Sequence, residues 1–257
     1  MAPALDLSGK VAVVIGGTSG IGKTLSLGLA DAGANVVATG RNAANVEQVA
    51  REIEARGRHT LKITTDTRDT SSLQRLLAAC LERFEKVEIL VNCAGKIKRA
   101  PTVDFPEADW NDILETNLTG TLLACQVFGK HMLSRKYGRI INIGSLTSFV
   151  GLHEVAAYAA SKAGVAALTR SLAVEWSREG VLTNAIAPGV FHTALNAELL
   201  DNTPRGKELL MRTPMGRYGK LEELVGAAVF LASDSASFVT GQILAVDGGF
   251  LASGVNQ

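Results

Sequence analysis

The chain alternates between short runs of β-branched, almost wholly apolar residues and longer stretches in which apolar positions return every three or four residues. The first pattern is that of a strand covered on both faces, and the second that of an amphipathic helix. Residues 10–15, 35–39, 59–65, 87–91, 138–143, 182–187 and 242–246 read as strands. Helical spacing links Leu25, Leu29 and Ala32, and then runs through residues 44–56, 71–84, 109–135, 156–178 and 222–232. Such alternation predicts an α/β fold, a doubly wound parallel sheet of about seven strands with helices on both faces. No repeat, linker or low-complexity tract divides residues 1–257, so one domain is expected. Only residues 191–217 lack clear periodicity. A long irregular segment beside a ligand-binding edge commonly closes over the ligand, and this one is expected to be a substrate lid.

Charge narrows the partners. The 26 basic and 25 acidic residues are scattered and leave a net charge of +1, so no long-range field favours nucleic acid or an anionic membrane. Cys80, Cys93 and Cys125 are odd in number, widely spaced and without clustered histidines, which argues for reduced thiols and no metal site. His59, His131, His153 and His192 are isolated, though the last two flank the expected substrate cleft. Asp6 and Ser8 interrupt the N-terminus where a signal peptide needs its apolar core, and no apolar run approaches ~18 residues. A cytoplasmic protein is expected.

Candidate chemistry sits where strands end. Gly16-Gly17-Thr18-Ser19-Gly20-Ile21-Gly22 lies between the first strand and the first helix, the place where backbone amides and the positive helix end receive a pyrophosphate. At the end of the second strand an NAD enzyme usually has an acidic residue for the ribose hydroxyls, whereas this chain has Gly40 and Arg41, which favours the extra phosphate of NADP(H) over NAD(H). Asp66 follows the third strand and could accept from an adenine amino group; Asn92-Cys93-Ala94-Gly95 after the fourth is a small-residue turn that backbone-to-ribose contact requires. Asn117 interrupts an apolar helical face, so its amide either caps local backbone or organises a water. Ser145 ends the fifth strand, and Pro188-Gly189 ends the sixth. Tyr158 and Lys162, four apart on a helix, share one face, where an ammonium favours the phenolate of its neighbour. The alanine-rich stretch around them suits close packing between helices or subunits.

Together these segments resemble the short-chain dehydrogenase/reductase family over essentially the whole chain, with Gly16-x-x-x-Gly20-Ile21-Gly22 as its cofactor loop, Asn92-Cys93-Ala94-Gly95 as its turn and Tyr158-x-x-x-Lys162 as its signature. Ile15 and Cys93 depart from the family's usual Thr and Asn. Within it, residues 94–101, Asp109-Trp110 and residues 212–219 look like the gluconate 5-dehydrogenase and 2-deoxygluconate 3-dehydrogenase group. The resemblance implies a Rossmann-type fold, a homotetramer, and interconversion of a ketone and a secondary alcohol by hydride transfer. It implies Tyr158 as proton donor and acceptor, Ser145 on the reacting oxygen, Lys162 tuning the phenol and holding the nicotinamide ribose, and Asn117 positioning a water. It further implies cofactor contacts at Gly16, Thr18, Ser19, Gly20, Ile21, Gly22, Arg41, Asp66, Thr67, Asn92, Ala94, Gly95, Tyr158, Lys162, Pro188, Gly189, Val190 and Thr193.

A small carbonyl or alcohol substrate follows, possibilities being a sugar acid of the gluconate type, a general ketone or a 3-oxoacyl thioester. For the first, Lys96, Lys98, Arg99 and Arg217 are candidate carboxylate partners. A nucleotide-binding protein without turnover is the contrasting class, against which the intact Ser-Tyr-Lys set stands.

Overall fold

Val11–Ile15 forms β1, buried at every position, with Ala12 and Val14 facing one hydrophobic core and Val11, Val13 and Ile15 the other. The computed structural model describes residues 5–192 and 197–254. After β1 come α1 (Gly20–Asp31), β2 (Asn35–Thr39), α2 (Ala43–Glu54), α3 (Thr70–Phe84) and β3 (Ile89–Asn92). The chain continues through α4 (Glu107–Leu114), α5 (Gly120–Ser134), β4 (Gly138–Ile143), α6 (Ala156–Trp176) and β5 (Val181–Pro188). It ends with α7 (Ala197–Leu200), α8 (Pro204–Met211), α9 (Val225–Ala232) and β6 (Ile243–Val246).

The strands form one 6-stranded parallel sheet in the order β2-β1-β3-β4-β5-β6. Leu25 and Leu29 of α1, Val49 and Ile53 of α2, and Ala228 and Val229 of α9 cover one face. Leu73 and Leu76 of α3, Phe128 and Met132 of α5, and Leu172 of α6 cover the other. Every described strand except β6 is buried almost throughout, as strands with helices on both sides must be. Because β2 and β3 lie on opposite sides of β1, the loops leaving these strands diverge and open a crevice at their carboxyl ends.

The structure corrects three expectations. The seventh strand, at 59–65, does not form. That segment runs beside β2 and meets it through Val36 N–H to the His59 carbonyl (3.1 Å) and Thr65 N–H to the Gly40 carbonyl (3.0 Å), but the Ile63 carbonyl is taken by the Thr39 hydroxyl at 2.6 Å. A side chain thus occupies an acceptor that a regular ladder would give to backbone. Residues 109–135 are not one uniform helix, since a π-type turn, Glu115–Thr119, separates α4 from α5 and carries Asn117. Residues 191–217, which lack periodicity, nonetheless contain α7 and α8.

Candidate active site

Two glycines give the β1–α1 loop its shape. Gly16 has φ +77°, and a Cβ there would lie 2.5 Å from the Ala94 amide nitrogen, so the loop and the turn after β3 touch backbone to backbone. A Cβ on Gly22 would stand 2.0 Å from the Gly16 carbonyl oxygen. These contacts fold the loop tightly onto α1, whose N-cap Ser19 makes no side-chain hydrogen bond to the first-turn amides. Those amides are left for an anion at the positive helix end.

A cavity of about 570 Å³ runs from this loop across the carboxyl ends of the strands. Gly16, Thr18, Ser19, Gly20, Ile21 and Gly22 line its first part, with Arg41, Asp66 and Thr67 beside them. Ala94, Gly95, Ser145, Tyr158 and Lys162 line the middle, and Pro188, Gly189 and Val190 the far wall. The structure thus brings these sequence-predicted residues to the lining of one cavity. The Asn92 side chain turns into the sheet and donates to Asn142 Oδ1 (2.9 Å) and Cys125 Sγ (3.3 Å), tying β3 to β4, so that of this residue only the backbone is left for a ribose contact. Thr193 lies outside the described residues.

Lys162 is buried and its Nζ donates to the Ile143 carbonyl at 2.7 Å, while standing 5.7 Å from the centroid of the Tyr158 ring. Burial lowers its pKa to about 8. Burial raises the Tyr158 phenol above its ordinary value; the hydrogen bond from Ser145 opposes that and the nearby Cys93 thiol adds to it. Desolvation is thus the largest influence on the phenol in the chain by itself. Ser145 accepts from Thr147 N–H (3.2 Å), leaving its own proton free to donate, and Ser148 fastens this turn to α6 by donating to the Lys162 carbonyl at 2.9 Å. Asn117 bonds to backbone on both sides of its amide: it accepts from Lys96 N–H (2.8 Å) and donates to the Lys96 carbonyl (2.9 Å), and it also donates to Ser161 Oγ (3.0 Å). It clamps the turn after β3 to α6 and leaves its Oδ1 3.4 Å from where a Gly95 Cβ would be, with Lys162 Nζ at 3.7 Å from the same point.

The charges at the rim are distributed differently from the sequence-based expectation. Lys96 pairs with Asp112, Lys98 with Asp109, Arg99 with Glu154 at 2.6 Å, and Arg217 with Glu223 at 2.6 and 2.8 Å. All four candidate carboxylate partners already hold a carboxylate. Asp66 is likewise held by Arg68 at 2.9 Å, which keeps its carboxyl below the usual range. Arg41, by contrast, is exposed on the cavity's edge and makes no ion pair among the described residues. Sequence reasoning missed Arg205, a cavity-lining guanidinium on α8. The signal was present in Thr203-Pro204, a capping residue followed by proline at the first helical position.

Among the described residues no group of three or more His, Cys, Asp or Glu is placed to hold a metal ion, and no helix is long and apolar enough to cross a membrane. Cys80 and Cys125 are buried and all three cysteines are free. The arrangement joins an anion-binding loop to a buried hydroxyl–phenol–amine set in one cavity, which suits proton exchange with a substrate oxygen beside a bound dinucleotide.

Residues 16–251 match the family described as Enoyl-(Acyl carrier protein) reductase. The chain is 42% identical over 250 residues to the 2-dehydro-3-deoxy-D-gluconate 5-dehydrogenase of Bacillus subtilis (strain 168), covering 96% of this chain and 97% of that one. It is 40% identical over 248 residues to the gluconate 5-dehydrogenase of Gluconobacter oxydans (strain 621H), with 96% and 97% covered. Among solved structures, a gluconate 5-dehydrogenase from Burkholderia cenocepacia J2315, in complex with NADP and tartrate, superposes with a TM-score of 0.94 at 38% identity and 98% coverage of both chains. Likeness of this extent takes in loop, turn and helix alike, and the chain belongs to the short-chain dehydrogenase/reductase family.

Proposed function

We propose that the protein is an NADP(H)-dependent oxidoreductase that interconverts a ketone and a secondary alcohol on a sugar acid of the gluconate type. The observation that carries this reading is the placement of Ser145, Tyr158 and Lys162 in the same cavity as the Gly16–Gly22 loop. Relatives about 40% identical over nearly the whole chain are named for gluconate and its deoxy derivatives, and the Burkholderia structure holds NADP. A nicotinamide bound here supplies the hydride exchanged with the reacting carbon. The uncapped first turn of α1 and the glycine cradle receive the pyrophosphate, and Arg41, in no ion pair among the described residues, holds the 2′-phosphate with Thr18 and Ser19 beside it.

Tyr158 gives the substrate oxygen its proton in reduction and takes it back in oxidation. Its raised pKa keeps that proton in place at neutral pH. Ser145 donates to the same oxygen and fixes its position. Lys162, protonated below about pH 8, stabilises the phenolate as it forms and holds the nicotinamide ribose. Asn117 keeps the turn after β3 and the start of α6 at fixed separation, and with them the water that links Lys162 to solvent. Residues 191–217 act as the lid, bringing Leu200, Arg205 and Leu209 to the cavity. The enzyme works as a homotetramer in the cytoplasm, a setting consistent with three free thiols.

The test is Tyr158→Phe, which removes the proton donor alone. It should retain NADPH binding by fluorescence titration and lose turnover by on the order of 10² to 10⁴. Near-parental turnover would refute the assignment.

The apolar lining by Ile97, Leu152, Val155, Phe191, Leu200 and Leu209 favours a second reading, a reductase of hydrophobic ketones or 3-oxoacyl thioesters. Comparing kcat/KM for 5-ketogluconate, a cyclic ketone and an acetoacetyl thioester decides between them.

A further inference from the structure

Two residues of the cavity wall carry polar side-chain atoms that the protein itself leaves unsatisfied. Thr147 Oγ1 and Arg205 Nε are both buried from solvent with no hydrogen-bond partner, and both residues line the cavity that holds Ser145 and Tyr158. Thr147 is 4% exposed. Both residues thus bring hydrogen-bonding capacity that the folded chain does not use to a wall that a ligand can reach.

Their chemistry differs. Thr147 has a hydroxyl to exchange hydrogen bonds with another hydroxyl. Arg205 has a planar fork suited to a carboxylate. Its Nη1 donates to the His153 carbonyl at 3.2 Å, which steadies the side chain without neutralising it. Nearby stand one further guanidinium, Arg99, and the carboxylate of Glu154, which Arg99 engages at 2.6 Å. Glu208 on the same helix adds a weaker negative influence. Two guanidiniums therefore share one close carboxylate, and the one facing the cavity is in excess.

We propose that Arg205 holds the substrate's carboxylate and Thr147 one of its hydroxyls, so that this pair, and not the lysines and arginines of the rim, sets the preference for a polyhydroxy acid. The inference rests on the sugar-acid reading above and assigns its recognition to named residues. Arg205 sits on α8, inside the lid segment. Arg217 and Arg99, already paired, remain structural.

The experiment uses the full chain with saturating NADPH and compares 5-ketogluconate with an uncharged ketose. Arg205→Gln keeps a donor for the His153 carbonyl but loses the charge. It should raise KM for the acid about 10- to 100-fold, leave kcat within about 3-fold, and leave the ketose unchanged. Arg205→Lys, which restores charge without the fork, should recover part of that loss. Thr147→Val should raise KM for both polyols several-fold, and Arg217→Ala should leave the acid preference intact. Equal effects of Arg205→Gln on acid and ketose, or a fall in kcat alone, overturn the assignment. If the enzyme reduces only uncharged ketones, gluconate is tested as a competitive inhibitor of that reaction. Inhibition weakened at least 10-fold by Arg205→Gln upholds the carboxylate site while overturning sugar-acid turnover. Absent or unaltered inhibition overturns the carboxylate site itself.

Discussion

Burial pushes two neighbouring side chains in opposite directions, the Tyr158 phenol up and the Lys162 amine down to about 8, and both shifts disfavour charge. Lys162 titrates near 10.5 when unfolded, so the folded state bears the cost of charging it in full below pH 8 and sheds that cost as pH rises toward 10.5. Lys162→Met removes the group. The stability difference between variant and parent, measured by urea unfolding without cofactor, should therefore shift against the variant by on the order of 3 kcal/mol between pH 7.5 and pH 10.5. A difference independent of pH would show that the folded amine keeps its ordinary proton affinity. Arg41 carries the second prediction at this scale. In no ion pair among the described residues, it should give NADPH a charge-assisted contact worth about 1.5–3 kcal/mol. Arg41→Ala should then weaken NADPH about 10- to 150-fold and spare NADH. Equal loss for both cofactors removes the phosphate contact from the account.

At the scale of elements, α1 lies so close to α9 that a Cβ on Gly28 would stand 2.4 Å from Val225 Cγ1. Alanine favours a helix over glycine by about 1 kcal/mol, but Val225 is β-branched and stiff, and overpacking costs about 1–3 kcal/mol. Gly28→Ala should accordingly lose about 1–2 kcal/mol in urea unfolding with an unchanged m-value; equal or greater stability would mean that α9 yields. What was legible in sequence was whatever depends on local periodicity. Tyr158 and Lys162 share a face because residues four apart on any helix do, and the Gly16–Gly22 loop announces itself between a buried strand and an amphipathic helix. What was not legible depends on a distant partner. The Thr39 hydroxyl takes the Ile63 carbonyl beside β2, and Asn142, 50 positions on, accepts from the inward-facing Asn92 side chain. The pairing of Arg99 with Glu154 across 55 positions leaves Arg205 as the cation facing the cavity, which no local pattern encodes.

For the whole molecule, β6 ends the sheet with half-exposed residues, and Phe238 next to it is fully exposed while Val174 on α6 is 81% exposed. An open sheet edge and large apolar side chains are features that the proposed homotetramer would cover. Light scattering at micromolar concentration should give the mass of four chains, and Phe238→Asp should lower it with the fold retained by circular dichroism. A parental monomer would rule the assembly out.

The strand order also bears on how the chain emerges during synthesis. Once β2 has settled on one side of β1, each later strand joins the opposite side, β3 on β1, then β4, β5 and β6, each on its immediate predecessor. No strand has to wedge between two already paired, so the sheet grows outward from a single advancing margin as the chain lengthens. The nucleotide-binding half is thus available to form before Tyr158 and Lys162 have been made, and a nascent chain could be clasping its cofactor before it owns the groups that use it.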